Sequence, residues 1–172
     1  MQKQPIDSVV WTDTSEIKAN DYNPNVVLTQ ELNLLKFSLL QQGWIQPVLV
    51  SSQDKEIIDG YHRWWLCSND KEVRAMTDGK VPVVFFDMDT AHRMCLTIRI
   101  NRAKGNHIAY KMHEIVYKLH NDFGMTMNEI SKEIGANKQE VELLMAEGVF
   151  AVKDTKNYKY SKAWKPVLKK EQ

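Results

Sequence analysis

Lys55-Glu56-Ile57-Ile58-Asp59-Gly60-Tyr61-His62-Arg63-Trp64-Trp65 is the stretch whose reading decides the fold. Two β-branched residues, Ile57 and Ile58, run into Asp59-Gly60, and His62 and Arg63 then lead an amphipathic, aromatic segment. This is the pattern of a short strand, a tight glycine turn and the first turn of a helix. A helix start carries unpaired backbone N–H groups and a partial positive charge, so it favours anions. Gly60 lacks the Cβ that would hold a phosphate away from the backbone, and Arg63 offers a planar fork of donors. The turn is a candidate nucleotide-phosphate site. The competing reading is a plain strand–turn–helix corner with His62 and Arg63 in solvent.

Working outward, Val48-Leu49-Val50-Ser51 and Glu56-Ile57-Ile58 read as two strands joined by the polar turn 52–55. Before them, Leu28, Leu32, Leu35 and Leu39 fall on one helical face, with Thr29 as the expected N-cap and Gly43 at the C′ position. Val9-Val10-Trp11 is a plausible first strand, and Lys18 to Val27 has turn chemistry without periodicity, as a structured loop does. After the helix Tyr61–Cys67 comes a polar stretch, 68–80, with no clear form. Val81 to Phe86 is a further strand, and its Pro82 suits an edge or a strand start.

The pattern changes at Asp89-Thr90 and is helical from there to Phe150. Ala91, Met94, Cys95 and Ile98 share one apolar face, and Ile115, Val116, Leu119 and Phe123 share another. Residues 126–146 then give a short helix with Ile130 and Ile134, a stop at Gly135, a three-residue turn, and a second helix with Val141, Leu144 and Met145. That is helix-turn-helix spacing. The expected organisation is an α+β core over 1–88, a helical segment over 89–150 and a lysine-rich tail over 151–172.

A chain of 172 residues, 43% apolar and 26% charged, is long enough for one domain and a small second one. No apolar run reaches the ~18–20 residues of a membrane span, and Met1-Gln2-Lys3-Gln4-Pro5 opens no secretion signal. The expectation is a cytoplasmic protein with no membrane partner. Cys67 and Cys95 lie far apart and outside any C-x-x-C spacing, which argues against a structural zinc site or a disulfide framework. The net charge of +1 conceals a division. Residues 153–172 hold seven lysines against Asp154 and Glu171, a net of +5, leaving 16 basic and 20 acidic residues elsewhere. Between Ala91 and His113, Arg93, Arg99, Arg102, Lys104 and Lys111 face no acid. Such asymmetry suggests polyanion contact, although a lysine-rich end is more often a solvated tail.

The Asn23-Pro24 loop, the run Gln42-Gly43-Trp44-Ile45-Gln46-Pro47-Val48-Leu49-Val50, the Asp59-Gly60-Tyr61-His62-Arg63 turn, the Asn101-Arg102 segment and the helix-turn-helix follow one another in an order that resembles the N-terminal part of the ParB family. The turn, followed by Asn101-Arg102-Ala103-Lys104-Gly105-Asn106-His107, looks most like short phage and prophage ParB-like proteins. The resemblance implies the ParB/sulfiredoxin fold, a small mixed sheet with helices followed by an all-α segment. It also implies binding of a nucleoside triphosphate, CTP or ATP, with Mg²⁺. Partition ParB proteins are CTP-dependent DNA clamps, while relatives with the Asp-Gly-x-His-Arg form include kinases of free serine. The implied partners are therefore a nucleotide and DNA, with homodimerisation left open. Gly60 and Arg63 match the first and last residues of the clamp proteins' Gly-Glu-Arg-Arg turn. Asn101 matches the asparagine that helps hold their metal, but Ile100 stands where they carry the glutamate that supports hydrolysis. An isoleucine can neither bind Mg²⁺ nor orient water.

The candidate nucleotide-binding residues are Gln46, Gly60, Tyr61, His62, Arg63, Asn101, Arg102, Lys104 and His107, with Asn101 also the metal candidate. Asp59 is the catalytic candidate, as a metal ligand or as acceptor of a hydroxyl proton; its bland alternative is a helix cap. Trp64 and Trp65 read as core. Lys138 and Gln139 are the DNA-contact candidates. Around them Glu129, Glu133, Glu140, Glu142 and Glu147 oppose phosphate contact, and no arginine is present to read guanine. Two functions follow: a nucleotide-responsive DNA-binding protein acting in regulation or genome handling, or a small kinase or nucleotide hydrolase built on Asp59, His62 and Arg63.

Overall fold

The computed structural model describes residues 2–22, 29–104 and 109–146. The Asn23-Pro24 loop, Leu28, His107 and the basic tail lie outside them. Four strands form one mixed sheet: β1 (Val10–Asp13), β2 (Val48–Ser51), β3 (Ile57–Asp59) and β4 (Lys80–Phe86), in the order β1-β4-β2-β3. β2 and β3 are an antiparallel hairpin with a register irregularity at Leu49/Val50. β2 runs parallel to β4, and β1 closes the other side antiparallel. β4 is therefore an interior strand, so of the two positions expected for Pro82, an edge or a strand start, the edge is excluded. The ladder between β2 and β4 begins at Val48↔Val83, one residue after the proline, so Pro82 pairs with β1 alone.

The helices are α1 (Thr29–Gln42), α2 (Tyr61–Asn69), α3 (Lys71–Met76), α4 (Thr90–Ala103), α5 (Ala109–Asn121), α6 (Met127–Ile134) and α7 (Lys138–Met145). Thr29 is already helical and is not the N-cap of α1. Gly43 does end α1 in the left-handed region, φ +77°, with its N–H on Leu39 O at 2.9 Å. The polar stretch 68–80 hides α3, whose start is capped by Asp70 Oδ1 accepting from the Glu72 and Val73 N–H groups. A six-residue helix is too short for its periodicity to show in the sequence.

Two hydrophobic clusters result. One joins Leu39 of α1 to Val48, Val50, Ile57, Leu66, Cys67, Val81 and Val83, with Leu32, Leu35, Tyr61 and Trp64 packed on it. Trp64 also donates its indole N–H to Thr14 O at 3.0 Å, whereas Trp65 is more than a third exposed and is not core. The second cluster gathers Met94, Cys95 and Ile98 of α4, Ile115, Val116 and Leu119 of α5, and Ile130, Ile134, Val141 and Leu144 of α6 and α7. Tyr22 reaches into it from the N-terminal loop. Phe123 lies beyond the end of α5 and is exposed, so the expected apolar face stops at Leu119. α4 ties the helical core to the sheet: its Met94, Cys95 and Ile98 belong to the helical cluster, and Thr97 donates to Ile58 O of β3 at 3.0 Å.

Thr126 and Glu129 form a reciprocal capping box at the start of α6, and Gly135 ends it at φ +66°. Asn137 then caps α7 by accepting from the Glu140 N–H at 2.8 Å. Among the described residues no helix is long and apolar enough to cross a membrane.

Candidate functional site

The end of β3, the Gly60 turn and the last turn of α4 meet at one place. Gly60 is the N-cap of α2 with φ +94°, and as a glycine it brings no side chain of its own to cap that helix start. A Cβ at Gly60 would lie 2.9 Å from Arg63 Nη2 and 3.2 Å from Val48 Cα. Only glycine fits both the dihedral and the space.

Arg63 is not in solvent; its side chain is 12% exposed. Nη1 donates to Gln46 Oε1 at 2.5 Å, and Nη2 donates to Pro47 O at 3.2 Å and to Asp59 Oδ2 at 3.4 Å. Nε is buried and meets no acceptor among the described residues. Burial presses the Arg63 pKa down, and the Asp59 carboxylate works in the opposite sense. His62 is half-buried and its pKa is also lowered by burial, so it is mostly neutral at pH 7.

Asp59 does not cap α2. Both of its oxygens lie 2.8 Å from Lys104 Nζ at the end of α4, and its side chain is 14% exposed. Two cations thus converge on one carboxylate beside the start of α2. Asn101 is buried, 3% exposed, one turn beyond Thr97. Tyr61 packs on the sheet core and against Trp64 at 5.6 Å between ring centroids.

Arg102 departs from the expected arrangement. It donates to Glu140 Oε1 at 2.5 Å and Oε2 at 3.3 Å and to Gly135 O at 3.4 Å, so it faces the α6–α7 turn and not Asp59. Consecutive helical residues point in different directions, and the Asn101-Arg102 pair is split between two neighbours. Lys138 and Gln139 are exposed at the start of α7, with Lys138 Nζ 3.9 Å from Glu142. The sequence did not reveal the role of the Pro47 carbonyl, since a backbone acceptor leaves no side-chain signature.

The residues suit an anion better than a metal cage. The buried Arg63 Nε, unmatched among the described residues, points to an acceptor-rich ligand. Among the described residues no three His, Cys, Asp or Glu side chains group to hold a metal ion. Hollows of about 590 and 430 Å³ lie beside α4–α6 and α5, away from the Gly60 turn.

The model of the ParB N-terminal domain matches residues 2–99. This chain belongs to the ParB N-terminal domain family. An Escherichia coli K12 relative known as uncharacterized protein YbdM is 35% identical over 170 residues, covering 95% of this chain and 78% of the relative. Two solved structures share the fold. One is a C-terminally truncated chromosome-partitioning ParB of Caulobacter crescentus complexed to the centromeric parS site, with TM-score 0.51 and 20% identity, covering 79% of this chain and 70% of that one. The other is the ParB-N domain of a Pnob8-like protein, with TM-score 0.54 and 12% identity, covering 80% and 69%. The small mixed sheet followed by helices is the ParB-N architecture expected from the motif order. In this ParB-family chain the Asp59–Arg63 turn occupies the junction of β3 and α2, covered by α4.

Proposed function

We propose that this ParB-family protein binds a nucleoside triphosphate, CTP or ATP, at the Gly60 turn, and that the bound nucleotide influences its association with DNA. The observation that carries the reading is Arg63, whose buried Nε meets no acceptor among the described residues, beside a start of α2 whose N-cap is the glycine Gly60. Phosphate oxygens supply acceptors for the guanidinium, for Lys104 and for the first-turn N–H groups. Gln46 holds the guanidinium in register, and His62 and His107 are further contact candidates. Mg²⁺ is held largely by phosphate oxygens in such sites, and Asn101 is the protein ligand the family implies. Arg102 is left out of the nucleotide site because its guanidinium is committed to α7.

The DNA part of the proposal draws on α6 and α7. Glu129 is spent on its capping box, Glu133 pairs with Arg99 at 2.8 Å and Glu140 pairs with Arg102. The acids that oppose DNA in a count of charges are therefore partly neutralised from within, while Lys138 and Gln139 stay exposed. A Caulobacter neighbour of the same fold is complexed to parS. A kinase role would require Asp59 to turn a lone pair to a hydroxyl, whereas in this structure both of its oxygens face the Lys104 ammonium.

The test is a titration of CTP, ATP and GTP with Mg²⁺ by calorimetry on wild type and Arg63→Ala. Saturable binding lost in the variant supports the reading. No binding of any triphosphate by the wild type overturns it.

A further inference from the structure

Resting on that phosphate-site reading, we infer that Asp59 is an internal stand-in for a phosphate, so the site selects ligands by the number of negative charges they bring. Among the described residues Asp59 is the acid bonded to both site cations. Its oxygens lie 2.8 Å from Lys104 Nζ, and Oδ2 lies 3.4 Å from Arg63 Nη2. The backbone contributes the positive end of α2, and its N-cap Gly60 has no side chain to compete there. Arg63 has further anchors in Gln46 Oε1 and Pro47 O, which hold the guanidinium whether or not Asp59 is engaged.

A carboxylate in this place does what a bound phosphate oxygen pair does: it accepts from an ammonium and a guanidinium at a helix start. An entering ligand must take Lys104 from Asp59 and then sit beside the displaced carboxylate. A monophosphate offers barely more charge than the group it replaces and is repelled by it. A triphosphate spreads its charge over several oxygens, so it can engage Lys104, the helix start and the Arg63 Nε together. The ligand class is thus polyphosphate-bearing nucleotides, triphosphate above diphosphate above monophosphate, with Asp59 as the residue that sets the discrimination. Asp59 is neither proton acceptor nor metal ligand in this scheme. No covalent step is involved.

The two roles predict opposite signs for one substitution. Asp59→Asn keeps size and removes the competing charge. It should bind CTP, CDP and CMP more tightly than wild type, by roughly tenfold for a charge a few Å away, and the triphosphate-to-monophosphate ratio should shrink. Inorganic tripolyphosphate should follow the same order, because the base takes no part. Lys104→Met should weaken the triphosphate most. Calorimetry gives the affinities, and circular dichroism checks each fold; Asp59→Ser serves where the amide variant does not fold. Weaker or unchanged binding in the charge-neutral variant, with wild type binding normally, overturns this inference and leaves the phosphate site standing. Absence of triphosphate binding by the wild type overturns the site and the inference together.

Discussion

Arg93 Nη1 lies 2.5 and 2.6 Å from the two carboxylate oxygens of Asp54, and Nη2 lies 3.2 Å from Glu56. The guanidinium is 3% exposed, while Asp54 keeps about a third of its surface in water. The start of α4 is pinned to the β2–β3 hairpin by this contact, at the other end of α4 from Lys104. Thr97 and Lys104 continue the attachment along β3, so α4 lies over that strand as one fixed layer.

Burial works to raise the Asp54 carboxyl, but hydrogen bonds from Arg93 and the Glu56 N–H outweigh it and hold the group well below the carboxylate range. A depressed folded value contributes stability that is present above the unfolded value, near 3.8. That stability is lost as pH falls through the folded value. Arg93→Met should cost about 1–3 kcal/mol at pH 7, less than a fully buried pair because Asp54 is partly hydrated. The acid limb should flatten in the variant, since the folded carboxyl then titrates near its ordinary value. Urea unfolding at a series of pH values reads both; an unchanged acid limb contradicts the pairing.

Gly60→Ala should act on stability and binding at once. At φ +94° a Cβ is strained, and here it also meets Arg63 Nη2 and the Val48 backbone. The expected loss is about 1–3 kcal/mol, together with a displaced guanidinium and weaker triphosphate binding. An alanine variant as stable as wild type would mean that the turn adopts another conformation.

Much of this was legible because strands and glycine turns leave local marks. Ile57-Ile58-Asp59-Gly60 and the Gly43 and Gly135 stops are one-dimensional signals, and each falls where its element ends. The helical face Met94/Cys95/Ile98 was equally plain. What stayed hidden is long-range: the bond from Lys104 to Asp59 spans 45 residues, and nothing local to either says that they meet. The same holds for Arg63: the sequence makes it a phosphate candidate with solvent as the competing reading, and its burial against Gln46 and Pro47 appears only once the chain is folded. Arg102 was misplaced for a related reason, since adjacency to Asn101 in sequence puts it on a different side of α4.

Arg63 itself separates charge from geometry. Arg63→Lys retains a cation but has no planar fork, so it cannot reach Gln46 and Pro47 together. It should lose most triphosphate affinity, about 1.5–3 kcal/mol for a charge-assisted bond. Because the side chain is largely buried, the alanine variant should also lose stability, by about 1–2 kcal/mol from lost packing and unmatched acceptors. Thermal unfolding with and without CTP distinguishes the two losses. Wild-type affinity in the lysine variant would remove the guanidinium from the site.

The α6–α7 unit gives the last prediction. Lys138 is exposed at the start of α7, and its one described ion pair, to Glu142 at 3.9 Å, is long and solvent-screened. Its charge is thus available to a phosphate at little cost. If α7 lies on DNA, Lys138→Ala should weaken binding uniformly across sequences and lower the salt slope by about 0.9, one phosphate contact. Gln139→Ala should instead alter preference among sequences, since an amide can read adenine bidentately. Arg102→Ala provides the internal control. It touches no proposed DNA contact, yet it takes the Arg102 guanidinium away from Glu140, two residues on from Lys138, and should weaken binding through repulsion, with Glu140→Gln restoring it. Fluorescence anisotropy on a mixed-sequence duplex at three salt concentrations reads all four variants. An unchanged slope in Lys138→Ala, with no effect from Arg102→Ala, would take α7 off the DNA and leave the helical unit as a packing partner of α4.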